Sequence, residues 1–138
     1  MEFSRYTDNA VAAMSYAQDA AAGFNHSFVG SEHLLMGLIK CGDKTSELLE
    51  KYGVTLDGAA PLVDSVIGGG RNRFIDSYGN TQSVKRILEL ALYEAKSQDS
   101  ELIGTGHILL SIMRERDCMG ARILDDLCSD KNALRSEL

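Results

Sequence analysis

A glutamate and a threonine, each at the start of a predicted helix, are the residues of this chain best suited to binding chemistry. Ser31 precedes a run of apolar residues at helical spacing, which places Glu32 in the first turn of that helix. Thr7 precedes a first helix in the same way, with Asp8 and Asn9 in its opening turn. The two helix starts together offer a carboxylate, a hydroxyl and backbone N–H groups that no helical carbonyl accepts.

These groups permit two interpretations of Glu32. In the first, its charge complements the positive end of the helix dipole, which is worth about 0.3–1 kcal/mol. In the second, the carboxylate pairs with a guanidinium, while the start of the first helix around Thr7 holds an anion. The second arrangement would bind a ligand that is cationic at one end and anionic at the other.

The histidines and cysteines form no comparable pattern. His33 and His107 lie beside apolar neighbours, and we predict that they are structural, with a small hydrolase using either ring as the alternative. The three cysteines are odd in number and lack C-x-x-C spacing, so they are predicted to be reduced structural thiols. The histidine spacing predicts no metal site, and no cofactor is expected.

Composition narrows the possible partners. The chain has 138 residues, of which 44% are hydrophobic, enough for one buried core. Its net charge of −6 disfavours nucleic acid and anionic membranes as partners. No apolar run approaches the length of a membrane span, and the first residues do not have the layout of a secretory signal. We therefore expect a cytoplasmic protein.

The chain also contains an internal duplication. Residues 28–40 align with residues 102–114 at an offset of 74, with three identical pairs and conservative exchanges at nearly all other positions. The exception is Glu32, which aligns with Gly106. The sequence therefore predicts an all-α fold, in which two tandem four-helix repeats pack as one pseudo-two-fold domain over residues 1–138.

The helix pattern gives approximate boundaries. We expect repeat one over about 5–67, a Gly-rich linker over about 68–80 and repeat two over about 81–138. Arg71 and Arg73 in the linker fit either solvated charges or a small basic patch. N-caps are expected at Thr7, Ser31, Thr81 and Thr105.

The later helices of each repeat can also be placed. We expect a third helix from about Thr45 that stops at Gly53, and a fourth over about 58–67 with Pro61 in its first turn. The segment 131–138 is expected to end as its helix begins to form. Three methionines are expected in the core or on an adaptable surface: Met14, Met36 and Met113.

The repeated stretch resembles a known family. A pattern close to G-T-E-H-I-L-L-G-L stands here as G-S-E-H-L-L-M-G-L at 30–38 and as G-T-G-H-I-L-L-S-I at 104–112, and Arg5-Tyr6-Thr7 is similar to an R-F-T start. These motifs resemble the N-terminal domain of the Clp ATPase unfoldases, most closely the ClpC type, over essentially the whole chain.

This resemblance implies a non-catalytic module that docks client and adaptor proteins. The AAA+ ring, whose phosphate-binding loop is absent from this sequence, would pass them to a ClpP-type protease. A stand-alone accessory protein that regulates the Clp complex is the alternative. The resemblance also implies a phosphoarginine site formed by Thr7 and Glu32 in repeat one. The second site would keep Thr81 but have Gly106 in place of the acid, and Asn80 stands where the family has an aromatic residue.

Overall fold

The computed structural model describes residues 3–64 and 79–138, and of Phe3 only the backbone. A 3-10 turn at Phe3–Arg5 leads into the helices of repeat one. These helices are α1 (Asp8–Gly23), α2 (Ser31–Lys40), α3 (Lys44–Lys51) and α4 (Leu56–Asp64). Repeat two contributes α5 (Gln82–Ser97), α6 (Thr105–Arg114), α7 (Met119–Leu127) and α8 (Lys131–Ser136). The all-α prediction with four helices in each half is confirmed.

Capping residues explain where the first helix of each repeat begins. Thr7 adopts an extended conformation and its hydroxyl accepts a hydrogen bond from Ala10 N, 3.1 Å away. Thr81 does the same for Val84 N at 3.3 Å. Each hydroxyl satisfies a backbone donor that the helix itself leaves unpaired. Both caps were predicted from the sequence.

Two helix starts differ from the predictions. Ser31 and Thr105 are the first residues of α2 and α6, and the N-caps are Gly30 and Gly104. A histidine ring accepts the hydrogen bond of each glycine N–H, so the cap does not need a serine or threonine hydroxyl.

The fourth helix of each repeat also departs from its expected bounds. α4 begins at Leu56, before the predicted start near residue 58, because Thr55 Oγ1 accepts from Gly58 N at 3.1 Å. Pro61 consequently falls in its second turn, where its missing N–H costs one helical hydrogen bond. In repeat two α8 is fully formed, since Asp130 caps it by accepting from Ala133 N. The predicted end of the fourth helix near residue 67, Arg71 and Arg73, and all of the predicted linker except Gly79 and Asn80 lie outside the described residues.

The core is built around α2 and α6. Eight of the ten residues of α2, Ser31 through Leu38, are buried. Met14, Met36 and Met113 are at most 8% exposed, so they pack in the core. The fully buried leucines and isoleucines of the two central helices are Leu34, Leu35, Leu38, Ile108, Leu109 and Ile112. Among the described helices, none combines the length and the apolar character needed to cross a membrane.

Gly37 permits a close approach between α1 and α2. A Cβ atom at this position would collide with the carbonyl oxygen of Ala13 on α1. The residue at the equivalent position of repeat two is Ser111, which has the Cβ atom that Gly37 lacks. The alanine-rich face of α1 therefore packs directly on the α2 backbone.

We expect Gly37→Ala to lower the free energy of unfolding by about 2 kcal/mol, because overpacking forces the two backbones apart. Gly23→Ala is the matched control, since a Cβ there would meet no atom within 4 Å. It should change stability by no more than about 0.5 kcal/mol. Urea denaturation of both variants measures the difference, and equal stabilities would contradict the close helix approach.

Candidate functional site

Backbone hydrogen bonds tie the start of each repeat to the middle of the other. Thr7 N donates to Ile103 O at 3.0 Å, and Ile103 N donates to Arg5 O at 2.7 Å. The equivalent two hydrogen bonds at the start of repeat two have the same pattern. Val29 N donates to Gly79 O at 2.7 Å, and Thr81 N donates to Val29 O at 3.0 Å. Each contact is a short parallel bridge. The repeats are therefore linked crosswise through their helix starts.

This crossing decides which of the predicted site residues are neighbours. Thr81 lies beside Val29, whose loop continues directly into Glu32 at the start of α2. Thr7 lies beside the loop that leads into α6, and a Cβ on Gly104 would be 3.8 Å from Thr7 Cγ2. The bridges thus join Thr81 to the Glu32 loop and Thr7 to the Gly106 loop, whereas the sequence pattern had paired residues of the same repeat.

Glu32 is held tightly at the start of α2. It is only 1% exposed, and its carboxylate folds over the Cα of Gly30, where a Cβ would collide with it. Gly30 also serves as the N-cap of the helix. A glycine at position 30 is therefore required by the position of the glutamate side chain, a reason that the sequence alone does not reveal.

The two first helices present different charges at their starts. α1 has Asp8 in its first turn, and α5 has no acidic residue there. The first turn of α5 therefore contains no carboxylate to compete with an anion for its N–H groups and dipole, whereas Asp8 would compete at α1. The helix start that accompanies Glu32 is therefore the better anion site.

His33 and His107 have equivalent structural roles. The Nδ1 atom of each ring accepts from the backbone N–H of the glycine three residues earlier, at 2.9 Å. The proton of the neutral ring is therefore on Nε2, which faces Nδ1 of His26 at 2.8 Å in repeat one and Oε1 of Gln98 at 3.0 Å in repeat two. These hydrogen bonds fix both tautomers, and they are the kind of contact that a structural histidine makes.

Sequence reasoning missed two polar contacts between the repeats, made by the first residues of α2 and α6. Ser31 Oγ accepts from Gly120 N at 2.8 Å, and Thr105 Oγ1 donates to Asp43 Oδ2 at 2.6 Å. Burial raises the pKa of Asp43, but hydrogen bonds from Thr105, Ser46 and Cys41 outweigh it and hold the pKa below its usual value. The only sequence signal was an aspartate in the position of a helix cap.

An apolar groove adjoins the start of α5. It lies between α1 and α5, has a volume of about 250 Å³, and is lined in part by Val29 and Asn80, the two residues of the parallel bridge. Its lining includes Val11, Met14, Gln18, Val29, Val84 and Leu88. The groove could not be predicted from either repeat alone, because the two repeats contribute opposite walls.

The described residues contain no cluster of three or more metal-ligating side chains. Cys41, Cys118 and Cys128 are free thiols. Burial raises the pKa of Cys41 and of Cys118, so neither is a thiolate nucleophile at neutral pH.

The fold and these helix starts define an all-α, internally duplicated domain. Residues 5–127 match the family described as the Clp repeat (R) N-terminal domain. The chain belongs to this family.

Relatives support the assignment over nearly the whole chain. The chloroplastic chaperone protein ClpC1 of Oryza sativa subsp. japonica is 35% identical over 99% of this chain, and a ClpA homolog of Guillardia theta, an ATP-binding subunit of the ATP-dependent Clp protease, is 36% identical over 99%. The chain spans only 15% and 17% of the lengths of these two relatives.

Solved structures agree with the fold. The N-terminal domain of the chaperone ClpD from Arabidopsis thaliana superposes with a TM-score of 0.79 at 28% identity, covering 98% of this chain and 95% of that domain. The Hsp104 N-terminal domain from Candida albicans has a TM-score of 0.72 at 15% identity, covers 96% of this chain and 87% of that one, and shares the fold.

The cap formed by His107 predicts a pH dependence. Burial lowers the pKa of His107, and the charge of Glu94 opposes this only in part. The pKa of His107 in the folded chain lies below the unfolded value of about 6.5, so the folded state favours the neutral ring. The contribution of this ring to the stability of the fold is complete above about pH 6.5 and is lost as the pH falls through the folded pKa.

We expect the free energy of unfolding of the native chain to fall more steeply than that of His107→Gln between about pH 7 and about pH 5. Glutamine at this position can still accept the Gly104 hydrogen bond but does not titrate. Urea denaturation across this range measures the effect. Parallel pH profiles would contradict this expectation. The comparison isolates His107, because His26 and His33 are present in both proteins.

Proposed function

We propose that this chain is the non-catalytic docking module of an ATP-dependent Clp unfoldase, and that it binds client and adaptor proteins, among them proteins marked by phosphoarginine. Membership of the Clp repeat family supports the first part. The printed names of the relatives, a chaperone and an ATP-binding subunit of a Clp protease, support delivery of clients to an ATPase ring and a ClpP-type protease. Neither nucleic acid nor membrane is proposed as a partner, and a cytoplasmic location stays a prediction, since the rice relative is chloroplastic.

One observation carries the phosphoarginine proposal: the start of α5 is joined by backbone hydrogen bonds to the loop of Glu32. In this arrangement the phosphate lies at the N–H groups of the α5 start beside Thr81, a position with no competing carboxylate in the helix's first turn. The guanidinium pairs with Glu32 through a bidentate contact. The site is thus made by both repeats.

The burial of Glu32 places a condition on binding. At 1% exposure its carboxylate cannot contact a ligand until the groups that cover it move aside. A buried carboxylate gains more from a guanidinium than an exposed one, because the interaction occurs at a lower effective dielectric. Slow or temperature-dependent association would be consistent with this opening step.

The second site, formed at Thr7, is proposed to be degenerate. Its neighbouring loop has Gly106 where the first has Glu32, and glycine has no side chain to pair with a guanidinium. Asp8 in the first turn of α1 further disfavours the phosphate. We therefore propose one phosphoarginine per chain.

The apolar groove between α1 and α5 extends this proposal from the modified residue to the client chain. It adjoins the start of α5, so an apolar residue near a phosphoarginine in the client can enter it. A docking module needs only moderate affinity for such a segment, because attachment to an assembly raises the effective concentration of the client.

Calorimetric titration of free phosphoarginine tests the site. We expect one equivalent to bind, and we expect Glu32→Gln to weaken binding at least about tenfold because a charge-assisted pair is lost. Thr81→Ala should weaken binding, whereas Thr7→Ala should leave it nearly unchanged.

Thr81→Ala and Thr7→Ala are matched, since each removes one helix N-cap at a cost of about 1 kcal/mol. Arginine and phosphoserine serve as ligand controls. A stoichiometry of two, or equal affinity for native and Glu32→Gln chains, would overturn the proposal. Loss of binding in Thr7→Ala but not in Thr81→Ala would restore the within-repeat pairing that the sequence had predicted.

A further inference from the structure

The two repeats contain equivalent grooves of opposite charge. In repeat two a groove of about 320 Å³ lies where the end of α6 meets α7 and α8, and it includes Arg116, Lys131 and Arg135. In repeat one the groove at the end of α2, beside α3 and the start of α4, includes Glu47, Glu50 and Asp57. Met113 and Ile39 are equivalent at the offset of 74, and Asp125 and Glu50 at 75, so the duplication produced both grooves.

The basic groove has cationic groups that the fold does not use. Lys131 is paired with Asp125. Arg116 and Arg135 are exposed, and among the described residues neither takes part in a salt bridge. By contrast, Arg114 nearby is engaged with Glu94 at 2.7 Å. Two guanidinium groups therefore remain available at one groove of a chain whose net charge is −6.

The same groove has an apolar base. Met113, Ala121 and Leu124 line it and are at most 7% exposed. Asn132 adds an uncharged hydrogen-bonding side chain. The groove is thus suited to a segment that combines carboxylates, for the two guanidiniums, with an apolar side chain for the base.

We propose that this basic groove binds an acidic peptide segment of a partner protein, with carboxylates paired to Arg116 and Arg135 and one apolar side chain on Met113 and Leu124. Charge complementarity selects the partner, because the acidic groove of repeat one repels the same segment. A nucleic acid is disfavoured, since three cations neutralise too few phosphates to overcome the negative field of the chain.

This surface is separate from the proposed phosphoarginine site. The basic groove is built from the end of α6 and from α7 and α8, whereas the phosphoarginine site is at the starts of α2 and α5. The inference therefore stands whether or not phosphoarginine binds.

Fluorescence anisotropy with a labelled pentapeptide, four acidic residues around a central leucine, tests the proposal. We expect saturable binding that weakens as salt is raised, and at least about tenfold weaker binding in Arg116→Ala and in Arg135→Ala. Arg122→Ala is the matched control, because this exposed arginine of α7 makes the same change in net charge outside the groove lining. It should bind like the native chain.

Two altered peptides complete the design. Replacing the four acids by their amides should abolish binding, and replacing the leucine by serine should weaken it. Equal binding of the amide peptide, equal effects of Arg116→Ala and Arg122→Ala, or no saturable binding at all would overturn the proposal. So would tighter binding of a short single-stranded oligonucleotide at the same arginines, or self-association that Arg135→Ala abolishes.

Discussion

The crossed backbone pairing is the constraint on which the rest of this structure depends. Thr7 is bonded to the loop before α6, and Thr81 is bonded to the loop before α2. Each bridge satisfies backbone groups that would otherwise be buried without partners, because Thr81 and Ile103 are at most 3% exposed. Each repeat supplies backbone partners to the loop that precedes a central helix of the other, which favours folding of the two as one unit. The groove between α1 and α5 and the neighbourhood of Glu32 follow from this exchange.

The duplication preserved this framework while the two halves acquired different surfaces. The histidine caps and the threonine caps occur in both repeats with nearly the same geometry. The differences are at positions that the framework does not need: Glu32 aligns with Gly106, and at the offset of 75 Glu47 aligns with Arg122 and Asp57 with Asn132. A pseudo-symmetric fold thereby presents two chemically distinct halves, which suits a domain that docks more than one kind of partner.

The sequence was sufficient for the helices but not for the neighbours of the site residues. Thr7 and Thr81 could be identified as caps because capping is local, and the offset of 74 revealed the two repeats. The pairing of Thr81 with the Glu32 loop could not be predicted, since a duplication is equally compatible with contacts within or between its copies. Ser31 and Thr105 were assigned as caps because their hydroxyls resemble those of N-cap residues, but both hydroxyls bond to the other repeat. The hydrogen bond of Asp43 to Thr105, the basic groove and the acidic groove likewise depend on tertiary contacts.

Native-state hydrogen exchange of the four bridge amides, at Thr7, Val29, Thr81 and Ile103, is the most direct test of this account. If the repeats are interlocked, all four amides exchange only through global unfolding, with one common free energy of opening equal to that of the buried α2 and α6 amides. If instead the repeats are independent units that happen to touch, the two bridges will open at different free energies, well below the global value. That result would contradict the crossed framework and the shared site built on it.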